Sequence, residues 1–270
     1  MVSLTKPNGQ GGSAVLAEVD DPLIAAMTIR RTLPLHESSR RLREIYPHSP
    51  RAYGVAVLSD VSLRRWWPLA SACTTDRLQV MFDGAATDMD VRSAARDLAT
   101  MLVHTVIGRV VALVVLEGRA WDTGIENLWV HADADGAIDW AAVVDPTLRA
   151  LPGDPCLAGE PADAIVQLPS EAALTTWVAH RCHRTLAALF ARLHTISFGA
   201  LSVAAMWQIV GSTVVATATQ LPQLTAVDEL SAMRRGQAVL DALVGFGLPV
   251  RGPFARRPPV PGAWDTPVLV

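Results

Sequence analysis

The stretch that decides the fold is residues 110–144, VVALVVLEGRAWDTGIENLWVHADADGAIDWAAVV. It opens on an unbroken apolar run, residues 110–116, whose pattern fits either the end of a buried helix or a buried strand. The second half is different in kind. Leu128-Trp129-Val130-His131 and Ile138-Asp139-Trp140-Ala141 flank an Asp-Ala-Asp-Gly tip, and Asp135-Gly136 is a strong hairpin signal because such a turn needs positive φ. Set among the helical patterns on either side, this hairpin gives the class: α+β, predominantly helical with a small antiparallel β-sheet or hairpin.

Upstream, residues 90–116 place Ala94, Leu98, Met101, Leu102 and Thr105 on one helical face and Arg92, Arg96 and Asp97 off it, which predicts a long helix. Short helices are expected over 20–28 and 37–46, and a short strand over 52–58. Asp60-Val61-Ser62 is read as the start of a further helix carrying Arg64, Arg65, Trp66 and Trp67, with Pro68 in its first turn or breaking it. Downstream, helices are expected over 170–194 with Ser170 as N-cap, over 200–219, and over 226–246 with Asp228 and Glu229 in its first turn and Gly245 and Gly247 as stop signals. The Pro- and Gly-rich stretch 151–161 is the best internal boundary. It divides an α+β part (15–150) from a helical part (151–248), between a Gly-rich leader (1–14) and a Pro-rich tail (249–270).

Bulk composition narrows the function classes. Half of the 270 residues are hydrophobic and 18% are charged, a globular composition. A net charge of −3 offers no basic footprint for nucleic acid. The three cysteines, Cys73, Cys156 and Cys182, are odd in number and show no CxxC spacing, which fits a reducing cytoplasm rather than a secreted disulfide framework. Nor can three thiols supply the four ligands of an iron–sulfur cluster or a four-thiolate zinc within one subunit. The leader lacks a signal-peptide apolar run. Residues 195–227 carry no charge, but Gln208, several Ser and Thr and two glycines favour a buried core helix over a membrane span.

Several constellations invite chemistry. His180, His183 and His194 fall on one helix flank, within roughly 60° of one another. His194 is more than two turns from the others, so His180 and His183 are weak metal candidates, and the plainer reading is a polar flank beside an apolar face. Asp133-x-Asp135-Gly136-x-x-Asp139 hints at a calcium loop. The sixth and twelfth positions of such a loop are Ile138 and Val144, not Gly and Glu, and Gly136 already serves the hairpin. Neither a phosphate-binding Gly-rich loop nor a GxSxG is found, and spacing selects no Ser-His-Asp triad. Glu117 and Asp122 are able to do acid–base work, though caps and surface pairs account for such residues more often. The tryptophans, eight in number, exceed Phe and Tyr combined. Most belong in the core, but Arg64, Arg65 and Arg119 beside Trp66, Trp121 and the hairpin's Trp129 suit an anionic or aromatic ligand, through stacking and bidentate hydrogen bonds.

Residues 110–144, with their apolar run, EGR and Trp-Asp leading into a small sheet, resemble the middle of the FhuF-like ferric-siderophore reductase family. ARLHTISFGALSVAAMW (191–207) is similar to that family's Ser followed by a small-residue, Trp-containing helix. Phe254-Ala255-Arg256-Arg257 resembles the Arg-rich stretch before its cysteines. The resemblance covers roughly residues 90–257 and implies a cytosolic, mostly helical protein. In the family, a [2Fe–2S] cluster on four C-terminal cysteines passes an electron to siderophore-held Fe(III), and Fe(II) is released. Here Pro258-Pro259 stands where the first Cys pair would follow Arg257, so no cofactor is expected and the family's [2Fe–2S] cluster is not. The resemblance then implies an iron- or siderophore-handling chain that binds a ferric siderophore or similar anionic chelate. Arg64, Arg65, Trp66, Arg119, Trp121 and Trp129 are the expected contacts. Two alternatives stand beside it. One is a ferric reductase drawing on a separate flavin, an external protein electron donor or a cluster bridged across subunits. The other is a non-catalytic interaction protein that presents helix 200–219 to an iron-handling partner.

Overall fold

Gly118 settles the helix-or-strand question of the apolar run. In the computed structural model, which describes residues 34–158 and 165–252, the chain is helical through Glu117, and Gly118 closes the helix in the left-handed region at φ 67°. The expected helix at 20–28, the leader and the tail from residue 253 lie outside the described residues.

Helix α1 (Pro34–Glu44) leads to strand β1 (Val55–Val57). Buried Ser39 joins the two, donating to Val55 O at 2.6 Å and accepting from Val55 N at 3.0 Å. The helix expected from Asp60 is not formed. Leu58–Asp60 makes one 3₁₀ turn, and Trp66–Pro68 pairs as strand β2 on the edge of a sheet. Tandem tryptophans suit a strand because one ring goes to each face, and the N–H that Pro68 lacks is tolerated on an edge. Short α2 (Ser71–Thr74) and α3 (Arg77–Asp88) follow. The long helix comes in three pieces: α4 (Val91–Val103) capped by Asp90, a π-turn (His104–Gly108), and α5 (Arg109–Glu117). The hairpin forms as expected, from β3 (Leu128–Ala132) and β4 (Ile138–Val143), with Gly136 at φ 83°.

The sheet is mixed rather than purely antiparallel. Its order is β1-β4-β3-β2; β1 runs parallel to β4 with Val55 opposite Ala141, and the other two pairings are antiparallel. A separate parallel pair joins β5 (Leu148–Ala150) to β6 (Ile165–Gln167). The last three helices are α6 (Glu171–Ile196), α7 (Val203–Leu224) and α8 (Glu229–Gly245), with Ser170, Ser202 and Asp228 as caps.

The sheet's inner face (Val55, Val57, Trp67, Leu128, Val130, Ile138 and Val143) joins a core shared with α4 to α8. Helix 91–117 is apolar and long enough to cross a membrane, yet 83% of its most apolar window is buried within the fold. Helix α7, the expected contact surface in the interaction-protein alternative, packs one side against α4, α5 and α8 and leaves residues such as Val215 and Leu224 exposed. The outer face carries a small second cluster of Ala56, Trp66, Trp140 and Ala142, flanked by Leu58, Val61 and Trp129. That outer face is where a cavity opens.

Candidate functional site

The cavity measures about 530 Å³, within the range of small-molecule sites, and is walled by Arg51, Asp60, Arg64, Arg65, Trp66, His131, Asp133, Asp139 and Trp140 among others. Its back wall is the strand register itself: Trp66 of β2 stands opposite His131 of β3, which stands opposite Trp140 of β4. The rings interlock, with Trp66 and Trp140 centroids 5.5 Å apart and Trp66 and His131 centroids 5.4 Å apart.

A regular strand would send Asp139 and Trp140 to opposite faces. The pairing shifts between His131 and Ala132, and this bulge leaves Asp139 unpaired and brings it to the cavity beside Trp140. There Asp139 Oδ1 meets His131 Nδ1 at 2.6 Å, and Asp139 Oδ2 accepts from Arg51 Nη1 at 2.6 Å. The Arg51 guanidinium also lies 4.8 Å from the Trp140 ring centre.

The floor is pinned from below by Arg109 at the start of α5. This guanidinium is wholly buried and makes its bonds to main-chain carbonyls: Arg51 O, Gly54 O at 2.8 Å and Asp139 O at 3.2 Å. Burial lowers its pKa to about 10. The Trp140 indole N–H converges on the same Gly54 carbonyl at 3.1 Å. Arg109 follows directly on the π-turn, the kind of helix irregularity that tends to mark functional regions.

Charge in the cavity is unevenly satisfied. Asp60 faces His36 at 3.1 Å, Asp139 is engaged by Arg51 and His131, and Asp133 accepts from the N–H groups of Asp135 and Ala137 within its own turn. The Arg64 and Arg65 side chains, both exposed, make no hydrogen bond or ion pair among the described residues. Arg65 adopts φ 65°, a left-handed conformation costly for a non-glycine residue. That backbone lets its carbonyl accept from Ala132 N at 3.1 Å, at the bulge.

The six residues expected to bind ligand therefore divide. Arg64, Arg65 and Trp66 line the cavity. Trp129 shares the outer face but packs against the apolar cluster outside the cavity wall. Arg119 and Trp121 are buried elsewhere. Arg119 is held by Asp154, Glu117 and Ser38, and although burial pulls its pKa down, the Asp154 carboxylate more than reverses this. Glu117 is thereby committed to structure, and Asp122 is too, through Arg181. Arg51, Asp60, His131, Asp139 and Trp140 complete the site. The Trp-rich hairpin hinted at one of them, Trp140, but nothing local marks Arg51, which meets Asp139 from 88 positions away.

Among the described residues no group of three or more His, Cys, Asp or Glu is placed to hold a metal ion. His180 and His183 both lie against Phe246, at 6.0 and 5.9 Å, and His183 also meets Trp207. His194 instead bonds Leu201 O at 3.0 Å. The three thiols stand on separate elements, Cys73 in α2, Cys156 in the turn after β5 and Cys182 in α6. Cys182 is buried on Thr123 and pushed up to about 12, burial and Asp154 push Cys156 up to about 11, and burial raises Cys73. Burial thus holds each free thiol toward its neutral form. Comparison with protein-family models, curated proteins and solved structures gives no match to this chain.

Proposed function

We propose that the chain is a cytoplasmic binding protein for a ferric siderophore or a chemically similar anionic chelate, held in the outer-face cavity. The observation that carries this reading is the pair Arg64 and Arg65. The wall's three carboxylates are all engaged within the protein, which leaves two guanidiniums at the cavity with no partner among the described residues. Guanidinium groups bind carboxylate, hydroxamate or catecholate oxygens through paired hydrogen bonds. Trp66 and Trp140 supply the flat apolar wall against which a chelate packs. Iron enters through the sequence resemblance, while the anionic and aromatic character of the ligand rests on the cavity. No electron-transfer step is assigned.

The test is a titration of tryptophan fluorescence with ferric hydroxamate, catecholate and carboxylate siderophores. Quenching that saturates for one class, and weakens at least tenfold in the Arg64→Ala/Arg65→Ala double variant, is the expected result. A flat signal across all three classes would end the proposal.

A further inference from the structure

Within the same cavity, and resting on its reading as an anion-binding site, His131 stands in an arrangement that binding alone does not require. Its Nδ1 is 2.6 Å from Asp139 Oδ1, and Arg51 fixes the other oxygen of that carboxylate at 2.6 Å. The ring is held against Trp66, and Arg109 grips the Asp139 carbonyl from beneath. The His131 and Asp139 side chains are only 18% and 27% exposed, so both are restrained while still reaching the cavity. A neutral imidazole that donates Nδ1–H to a carboxylate carries its lone pair on Nε2. In His131 that atom has no hydrogen-bond partner among the described residues. A proton acceptor oriented by a carboxylate, beside groups suited to grip an anion, is the arrangement of general-base catalysis.

We propose that the cavity hydrolyses an ester carried by an anionic ligand, with His131 as general base. Arg64 and Arg65 hold the anionic end. His131 Nε2 takes a proton from water as the water oxygen bonds to the ester carbonyl carbon. The tetrahedral intermediate then collapses with cleavage of the bond to the alcohol oxygen, and the imidazolium returns the proton to the departing alkoxide. The products are a carboxylic acid, which ionises, and an alcohol; no oxidant or reductant takes part. Asp139 and Arg51 are positioning residues, and the bulge is what places Asp139 within reach.

The experiment uses 4-nitrophenyl hemisuccinate, an anionic ester, against neutral 4-nitrophenyl butyrate, with the full chain. The expected result is saturable hydrolysis that favours the anionic ester. Arg64→Ala/Arg65→Ala raises KM at least tenfold with little change in kcat. His131→Gln lowers kcat by a factor of about 100 or more at nearly constant KM. The wild-type kcat–pH profile gives a measurement that needs no variant to fold. The groups around His131 are Asp139, Arg51, Asp60, Asp133, Arg64 and Arg65, and the profile must show one rising limb. A flat profile, or a folded His131→Gln protein with unchanged kcat, overturns the catalytic role. If siderophore still quenches tryptophan fluorescence in that case, the binding reading survives alone; loss of both signals removes both.

Discussion

The Arg119 guanidinium meets the Asp154 carboxylate at two points, Nε to Oδ2 at 2.8 Å and Nη2 to Oδ1 at 2.7 Å. Both side chains are nearly out of solvent, at 8% and 6% exposure. A third contact runs from Nη1 to Glu117 at 2.7 Å, so the cation ties the end of α5 to the loop after β5. An arginine beside a tryptophan reads as a ligand contact in sequence, and in the fold it is a strap.

Removing one partner of such a pair leaves a buried charge behind. Asp154→Ala is expected to destabilise the protein by about 3 kcal/mol in urea unfolding. Siderophore titration of the same variant, below its unfolding midpoint, is expected to match wild type.

Acid sensitivity is expected to centre on His104. Burial and the neighbouring Arg109 hold its pKa down to about 4, against about 6.5 in an unfolded chain, while its Nε2 donates to Ala52 O at 2.6 Å. Between these pH values the unfolded chain binds the proton more readily. The stabilisation is complete above about pH 6.5 and is lost as pH falls toward 4, a total of about 3 kcal/mol. His104→Gln removes that slope from stability measured across pH 4–7; an unchanged slope assigns it to another group.

Gly211 gives a test in which packing opposes propensity. Ala in place of a helical glycine ordinarily gains about 1 kcal/mol. A Cβ at Gly211 would lie 1.8 Å from the Val250 carbonyl oxygen, because the segment after α8 crosses α7 at that point. Gly211→Ala is expected to lower Tm, whereas Gly84→Ala in α3, where a Cβ meets nothing within 4 Å, raises it.

The buried tryptophans separate in the same way. Trp121 is fully buried and its indole N–H has no partner among the described residues, whereas Trp140 donates to Gly54 O. Removing an unsatisfied donor offsets part of the lost packing. Trp121→Phe is therefore expected to cost less stability than Trp140→Phe in parallel denaturant titrations.

What the sequence makes legible is the local chemistry. Ser170 caps α6 and Gly136 turns the hairpin as expected, because a side-chain acceptor or a tolerance of positive φ acts within a few residues, while Asp228, expected in the first turn of α8, sits one step earlier as its cap. Half of the expected ligand set, Arg64, Arg65 and Trp66, does face the cavity. What stays hidden depends on distant partners. The parallel seat of β1 on β4 joins residues more than 80 positions apart, and the bulge that brings Asp139 to the outer-face cavity has no marker in the hairpin pattern. Nothing near Arg119 foretells Asp154, and the helix expected from Asp60 gives way to a strand whose pairing with β3 propensity does not encode.

The central claim, that two arginines make the outer-face cavity an anion site, is tested most directly by charge reversal. The measurement is the dissociation constant of the best-quenching ferric siderophore for wild type and for Arg64→Glu/Arg65→Glu, at low and high salt. The account predicts weakening of at least a hundredfold at low salt, and a salt dependence present in wild type and abolished in the variant. Equal affinity in the two proteins would contradict it.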